Sequence, residues 1–273
     1  MEMFTREYLA DLIFKKMSSE LEVKKKEFSQ LGRINSCYID DLLPRDIAMN
    51  IYNAFPSPDE MNIYKSLREN KRIAAQMDLY NPLLEEIVYA FQDKNVLSLI
   101  ESITGLKNMV PDEDLYAGGI SLMTRGNFLN PHLDNSHDND RVHYRVLNLL
   151  YYCTPGWEID FGGNLELWDN GVNNEQRTVH SRFNRLAIMI TNKTSYHSVS
   201  KVVVDGKRCC VSNYYFSKIP AEKAEYFHVT SFYGRPEEPL KTIFLKLDTL
   251  IRQKIRVLLG KKISKTSHIY KKK

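Results

Sequence analysis

From Leu115 to Phe216 the chain is divided into short segments rich in β-branched and aromatic residues, separated by turn signals. Gly118-Gly119, Pro155-Gly156, Gly162-Gly163, Asp169-Asn170-Gly171 and Asp205-Gly206 supply the punctuation. Such a rhythm predicts strands near 117–124, 143–152, 164–168, 176–180, 185–191, 195–203 and 208–217. Many short strands on this spacing form a sandwich or a small barrel. Asp205-Gly206 between two such runs signals a tight hairpin.

The first 110 residues follow a helical period instead. Apolar residues recur at Met3, Phe4, Leu9, Leu12, Ile13 and Met17, and again from Ile47 to Phe55, where Pro56-Ser57-Pro58 ends the pattern. Asn81-Pro82 before Leu83-Leu84 reads as a helix cap with proline in the first turn. A further helix over about 94–104 is expected to stop at Gly105. The fold class is therefore α+β. Residues 1–110 form a mainly helical support, 111–220 a strand-rich core, and 221–273 a C-terminal extension.

No run of eighteen apolar residues exists to span a membrane. The N-terminal MEMFTREYLADLIFKK mixes acids among its apolar residues, unlike a signal peptide. Cys37, Cys153, Cys209 and Cys210 lack C-x-x-C spacing, and neighbours on a strand point apart, so buried reduced thiols are expected. These features place the chain in the cytoplasm. Its net charge of +4 is unevenly spread: residues 240–273 hold eleven Lys or Arg against the single acid Asp248. The remainder is mildly acidic, so an electrostatic partner would be sought by the tail.

One segment carries chemistry. Asn130-Pro131-His132-Leu133-Asp134 is followed, 63 residues after Asp134, by Tyr196-His197-Ser198. On a strand, His132 and Asp134 project from one face. A distant His197 would complete two imidazoles and one carboxylate on one face of an octahedron, the set that suits Fe(II) activating O2. His-x-Asp alone recurs by chance, but three features accompany it. Arg208, eleven residues past His197, offers a fork for a carboxylate. Tyr151-Tyr152 offers a phenol, with Tyr152 favoured, and Gly162-Gly163 gives a tight turn where backbone must approach closely.

In this order, with Trp168 among them, the residues from about Tyr116 to Phe216 resemble the prolyl-4-hydroxylase-like branch of the 2-oxoglutarate/Fe(II) dioxygenases. The resemblance implies a double-stranded β-helix (jelly-roll) core with flanking N-terminal helices. It implies that His132, Asp134 and His197 ligate iron and that Arg208 and Tyr152 bind the C5 carboxylate of 2-oxoglutarate. Oxidative decarboxylation would give succinate and CO2 while O2 hydroxylates an unactivated C–H bond, with ascorbate admitted as a reductant. A halogenating relative needs the carboxylate ligand absent, so Asp134 makes hydroxylation the default and leaves desaturation or demethylation open. The chain departs from relatives at Met123, where several place a co-substrate tyrosine, and in a His197-to-Arg208 spacing about two residues longer than some.

Other residues stay open. His137, His143, His180 and His228 are candidate extra ligands, and His137, with Asn135, Asp138 and Arg145, is either a substrate contact or a polar loop residue. Trp157 and Trp168 read as core. Ser212 and Tyr214 face one way and Asn213 and Tyr215 the other, without the sequence saying which is inward. In the tail, apolar residues from Leu240 to Leu259 recur at helical spacing with basic residues opposite. This helix either packs on the protein's own core or makes a peripheral membrane or anionic partner contact through 240–273. Nucleic acid is disfavoured, since no aromatic-interleaved basic face accompanies it. Competing readings are a zinc or manganese cupin-like metalloenzyme that ignores 2-oxoglutarate, and a non-catalytic binding module. The substrate class stays open among protein residues, free amino acids and glycan or lipid-linked precursors, as does the oligomeric state.

Overall fold

A computed structural model gives the fold. It describes residues 4–222, 224–259 and 269–271, without the side chains of Arg256 and Leu259. Six helices are present among them: α1 (Arg6–Ser19), α2 (Leu21–Phe28), α3 (Arg45–Ala54), α4 (Pro82–Ala90), α5 (Lys94–Thr104) and α6 (Pro239–Leu259). The strands are β1 (Ser36–Ile39), β2 (Ile63–Lys65), β3 (Glu69–Ala74), β4 (Met109–Pro111), β5 (Gly119–Met123), β6 (Phe128–Leu133) and β7 (Tyr144–Tyr152). They continue with β8 (Leu165–Leu167), β9 (Arg177–Val179), β10 (Arg185–Ile190), β11 (His197–Val199), β12 (Arg208–Ser217) and β13 (Ser231–Phe232).

The helices begin and end where local chemistry dictates. Asn81 caps α4 by accepting the Leu83 N–H at 3.0 Å, with Pro82 in the first turn. Asp93 caps α5, and Gly105 ends it in the left-handed conformation at φ 75°. On α1 the buried residues Leu9, Ile13 and Met17 lie one turn apart. Each such fully buried side chain contributes on the order of 2 kcal/mol.

The strands join antiparallel into one curled sheet, in the order β1-β10-β7-β12-β5-β3-β6-β11-β8-β9. This is the jelly-roll core expected. Each predicted span holds a strand, the 195–203 run keeping only β11, but β6 with His132, and also β1, β2, β3, β4 and β13, lie outside those spans. Asp205-Gly206 does not make the expected hairpin. β11 pairs with β6 and β8, whereas β12 pairs with β4, β5 and β7, so this turn carries the chain between different parts of the roll. The chain does bend at Asp205-Gly206, but alternation between layers decides the pairing.

The division at residue 110 also needs correction. β3, from the mainly helical support, lies between β5 and β6, and β1 completes the far edge on β10. The N-terminal region thus supplies strands to the roll as well as helices behind it. β12 shows how the two meet. Arg208, Cys210, Ser212 and Tyr214 face the interior of the roll. Tyr215, on the other face, donates its hydroxyl to the Phe91 carbonyl at 2.7 Å, and Gln92 donates to Asn213 Oδ1 at 3.1 Å. This settles which alternating set is inward. All four cysteines are buried and free.

Candidate active site

Strand register brings the chemistry together. His197 on β11 stands opposite His132 on β6, and their rings lie 4.1 Å apart between centroids. β13 flanks β6 on its other side, so Phe232 stands beside His132 and stacks on its ring at 5.1 Å. Asp134 comes one residue after β6 ends rather than on the strand. Its carboxylate nevertheless reaches both imidazoles, at 3.6 Å from His132 Nε2 and 3.7 Å from His197 Nε2. One ligand atom from each of the three lies within 4.8 Å of the others, the one such cluster of His, Cys, Asp and Glu among the described residues.

The tautomers follow from the partners. His132 Nδ1 lies 2.9 Å from the Asn130 carbonyl, and His197 Nδ1 lies 2.9 Å from the Ser195 carbonyl. A carbonyl only accepts, so each Nδ1 carries the proton and each Nε2 turns its lone pair toward Asp134. Burial, reinforced by His132, pushes the His197 pKa down to about 4, so this ring is neutral near pH 7. Burial would raise the pKa of Asp134, but Arg145 and the two histidines outweigh it and hold it well below the usual value. Two imidazole nitrogens and one carboxylate therefore converge on one point. That donor set fits a divalent cation such as Fe(II).

The surroundings are equally specific. Asn148 donates to Asp134 Oδ2 at 2.8 Å, and Arg145 Nη1 lies 3.4 Å from Oδ1. Arg145 is buried, its guanidinium 4.6 Å from the Tyr214 ring centre. Behind His197, the Trp168 indole donates to Ser198 Oγ at 2.8 Å, and Ser198 donates to Glu166 at 2.6 Å. Arg235 closes this chain on Glu166 at 2.7 Å. Asn148, Phe232, Glu166 and Arg235 were not singled out from the sequence. Asn148 left one signal, a lone amide in the apolar run Val146-Leu147-Asn148-Leu149-Leu150.

Arg208 lines the same cavity, of about 120 Å³, that holds His132, Asp134 and His197. It is 4% exposed, yet no carboxylate among the described residues pairs with it, and its Nε has no hydrogen-bond partner. Its register partner on β5 is Met123, whose sulfur accepts from Nη2 at 2.9 Å. Tyr152 lies beside it, ring centre 5.4 Å from the guanidinium. Tyr151 points the other way and donates to Asn184 Oδ1 at 2.8 Å, so only the second tyrosine of the pair reaches the cavity. Gly163 takes φ 70°, and a Cβ there would stand 3.2 Å from Val202 Cγ2 with the Arg208 side chain in contact at 3.4 Å. A Cβ on Gly162 would stand 2.0 Å from the Lys201 carbonyl oxygen.

The remaining histidines stay outside the cluster. His143 pairs with Asp138 at 2.8 Å, and His180 donates to the Trp157 carbonyl at 2.7 Å. His137 shares a hydrogen bond with Ser136 Oγ, and His228 stacks on Tyr226. Both line, with Asn135, Asp138 and Arg141, a second cavity reached from the residues just after Asp134. Trp157 and Trp168 are buried core residues, as expected.

Comparison with known proteins agrees with this geometry. The 2OG-Fe(II) oxygenase superfamily profile matches residues 118–216. A Pseudomonas putida prolyl-4-hydroxylase is 18% identical with a TM-score of 0.53, covering 71% of this chain and 98% of its own. A prolyl 4-hydroxylase from Phytophthora capsici gives 18% and 0.53, covering 94% and 80%. A Trichoplax adhaerens prolyl hydroxylase, in complex with a hypoxia inducible factor oxygen degradation domain peptide fragment, gives 19% and 0.51, covering 75% and 93%. No curated protein sequence matches the chain significantly. Residues 118–216 thus carry a 2OG-Fe(II) oxygenase domain, which makes the chain an oxygenase enzyme with Fe(II) and 2-oxoglutarate as cofactors, on a fold similar to that of the prolyl hydroxylases.

Proposed function

We propose that His132, Asp134 and His197 hold the Fe(II), that Arg208 with Tyr152 receives the C5 carboxylate of 2-oxoglutarate, and that the enzyme hydroxylates an unactivated C–H bond. The observation carrying this reading is Arg208: a buried guanidinium without a carboxylate partner among the described residues, in the cavity of the three ligands. Burying a cation unpaired is costly, and a dicarboxylate supplies what is missing. When bound, the iron, 2-oxoglutarate and O2 together supply the oxidising power, and succinate and CO2 leave.

The chain's own groups do the rest. His132 and His197 present Nε2 because backbone carbonyls hold their Nδ1–H groups. Arg145 and Asn148 hold the Asp134 carboxylate in place and keep it ionised. Phe232 covers one face of His132 and fixes the ring plane. The substrate is a protein residue, an amino acid or a glycan or lipid-linked precursor, reaching the cluster past Asn135 and His137.

The decisive assay is succinate release from 2-oxoglutarate by purified protein loaded anaerobically with Fe(II), since uncoupled turnover proceeds without the substrate. Release that requires both iron and O2 supports the reading. Folded, iron-loaded protein that neither binds nor consumes 2-oxoglutarate would overturn it in favour of another metalloenzyme. A finer test is Asn148→Leu, which removes a hydrogen bond to a ligand without touching the metal. It is expected to lower Fe(II) affinity about 10- to 100-fold in anaerobic calorimetry. Unchanged affinity would reduce Asn148 to a space-filling residue.

A further inference from the structure

Helix α6 is docked inside out. At ~100° per residue, Leu240, Ile243, Phe244, Leu247, Leu250 and Ile251 share one stripe. All six are more than half exposed. The opposite side meets the body largely through polar groups. Asp248 pairs with Arg68, Thr242 Oγ1 accepts the Gly234 N–H at 3.0 Å, and Gln253 Oε1 accepts the Val229 N–H at 3.0 Å. Among the described side chains of the helix, only Leu245 is buried, against Leu129 and Phe232. A helix stabilised by its own core would show the reverse pattern. A contiguous apolar stripe of this size on a surface marks something that covers it.

Charge identifies the cover. Lys246 and Lys254 are exposed on α6, and residues 260–273 add Lys261, Lys262, Lys265, Lys271, Lys272 and Lys273 without an acid. The single acid after Leu240, Asp248, is spent on Arg68 and Arg252. An apolar stripe among uncompensated cations disfavours a second copy of the same face, since like charges would meet. A plane of anionic headgroups over acyl chains satisfies both features at once. We propose that α6 is a docking surface for an anionic lipid membrane: the stripe enters the interface, and Lys246 and Lys254 meet the headgroups. Lys254, within the stripe, can extend its amine outward while its stem stays apolar. Arg252 and Ile255 also line the cavity beside Asn135 and His137, so docking would hold that cavity next to the membrane.

The test is co-sedimentation of the full chain with vesicles of phosphatidylcholine alone or mixed with phosphatidylglycerol. The wild type is expected to bind the mixed vesicles, and roughly tenfold more weakly at high salt. The paired substitution Leu247→Glu with Ile251→Glu lies at exposed positions, and its melting curve checks the fold. It is expected to abolish binding. Lys246→Gln with Lys254→Gln is expected to weaken binding several-fold. Failure of the wild type to sediment, or equal binding to both vesicle types, would overturn the proposal. So would a wild-type dimer that the double Glu variant splits into monomers without any vesicle binding, which would give the face to a second copy.

Discussion

Arg208→Met is expected to weaken 2-oxoglutarate binding by about 10²- to 10⁴-fold while leaving the fold as stable as before, or more so. Two charge-assisted hydrogen bonds to a carboxylate are each worth about 1.5–3 kcal/mol, which sets the loss. The stability change has the opposite sign for a physical reason. Without a ligand, the guanidinium is buried beside Met123 and Tyr152 with its Nε unpartnered. Removing an unpaired buried cation takes away a cost rather than a contact, and a gain of about 1 kcal/mol is expected. At this chain length that would raise Tm by roughly 2–4 °C. Calorimetric titration with 2-oxoglutarate and a thermal melt of the ligand-free protein read the two effects separately. A variant that loses several kcal/mol of stability would show that Arg208 holds the roll together and was not kept free for a ligand.

Asp134→Ala should behave in the reverse way, harming the metal-free protein as well as its function. Arg145 is buried, and the carboxylate it faces is Asp134 at 3.4 Å. Deleting one partner of such a pair leaves the other charged and desolvated, at a cost of about 3–5 kcal/mol. The three-ligand set also drops to two, so the increase in Tm that Fe(II) gives by binding the native state should vanish. Melts in chelator and in excess Fe(II) separate the two losses. Adding Arg145→Met to Asp134→Ala is expected to restore most of the chelator-state stability and none of the metal effect. If the double variant melts no higher than the single one, Arg145 is not the source of the penalty.

Much of the site was legible because its signals are local or ordered. His132 and Asp134 are two residues apart, the distal His197 and Arg208 follow in sequence, and the turns between them are marked by glycine. Even so, Asp134 is not on the strand that its spacing suggested; β6 stops at Leu133. What the sequence hid were partners set by long-range register. Phe232 reaches His132 only because β13 pairs with β6, and Met123 reaches Arg208 only because β5 pairs with β12. Periodicity showed that α6 has an apolar face but not what that face would meet, since a helix repeats the same pattern toward a core or toward solvent. β3 was missed for a plainer reason: Glu69-Asn70-Lys71-Arg72 carries no strand-like alternation, and pairing on both sides overrides its propensity.

The position of β3 also bears on how the chain reaches its native state. Residues 69–74 leave the ribosome before either of the strands they separate, and β1 must await β10, some 150 positions later. While only the helical third has emerged, β1 has no partner and β3 has only its short neighbour β2. The roll therefore closes late, through contacts of high sequence separation, and its folding rate carries the entropy of those long loops. Until then the unpaired edges of β1 and β3 are open to intermolecular pairing, which makes the nascent N-terminal third the part of this enzyme most exposed to aggregation.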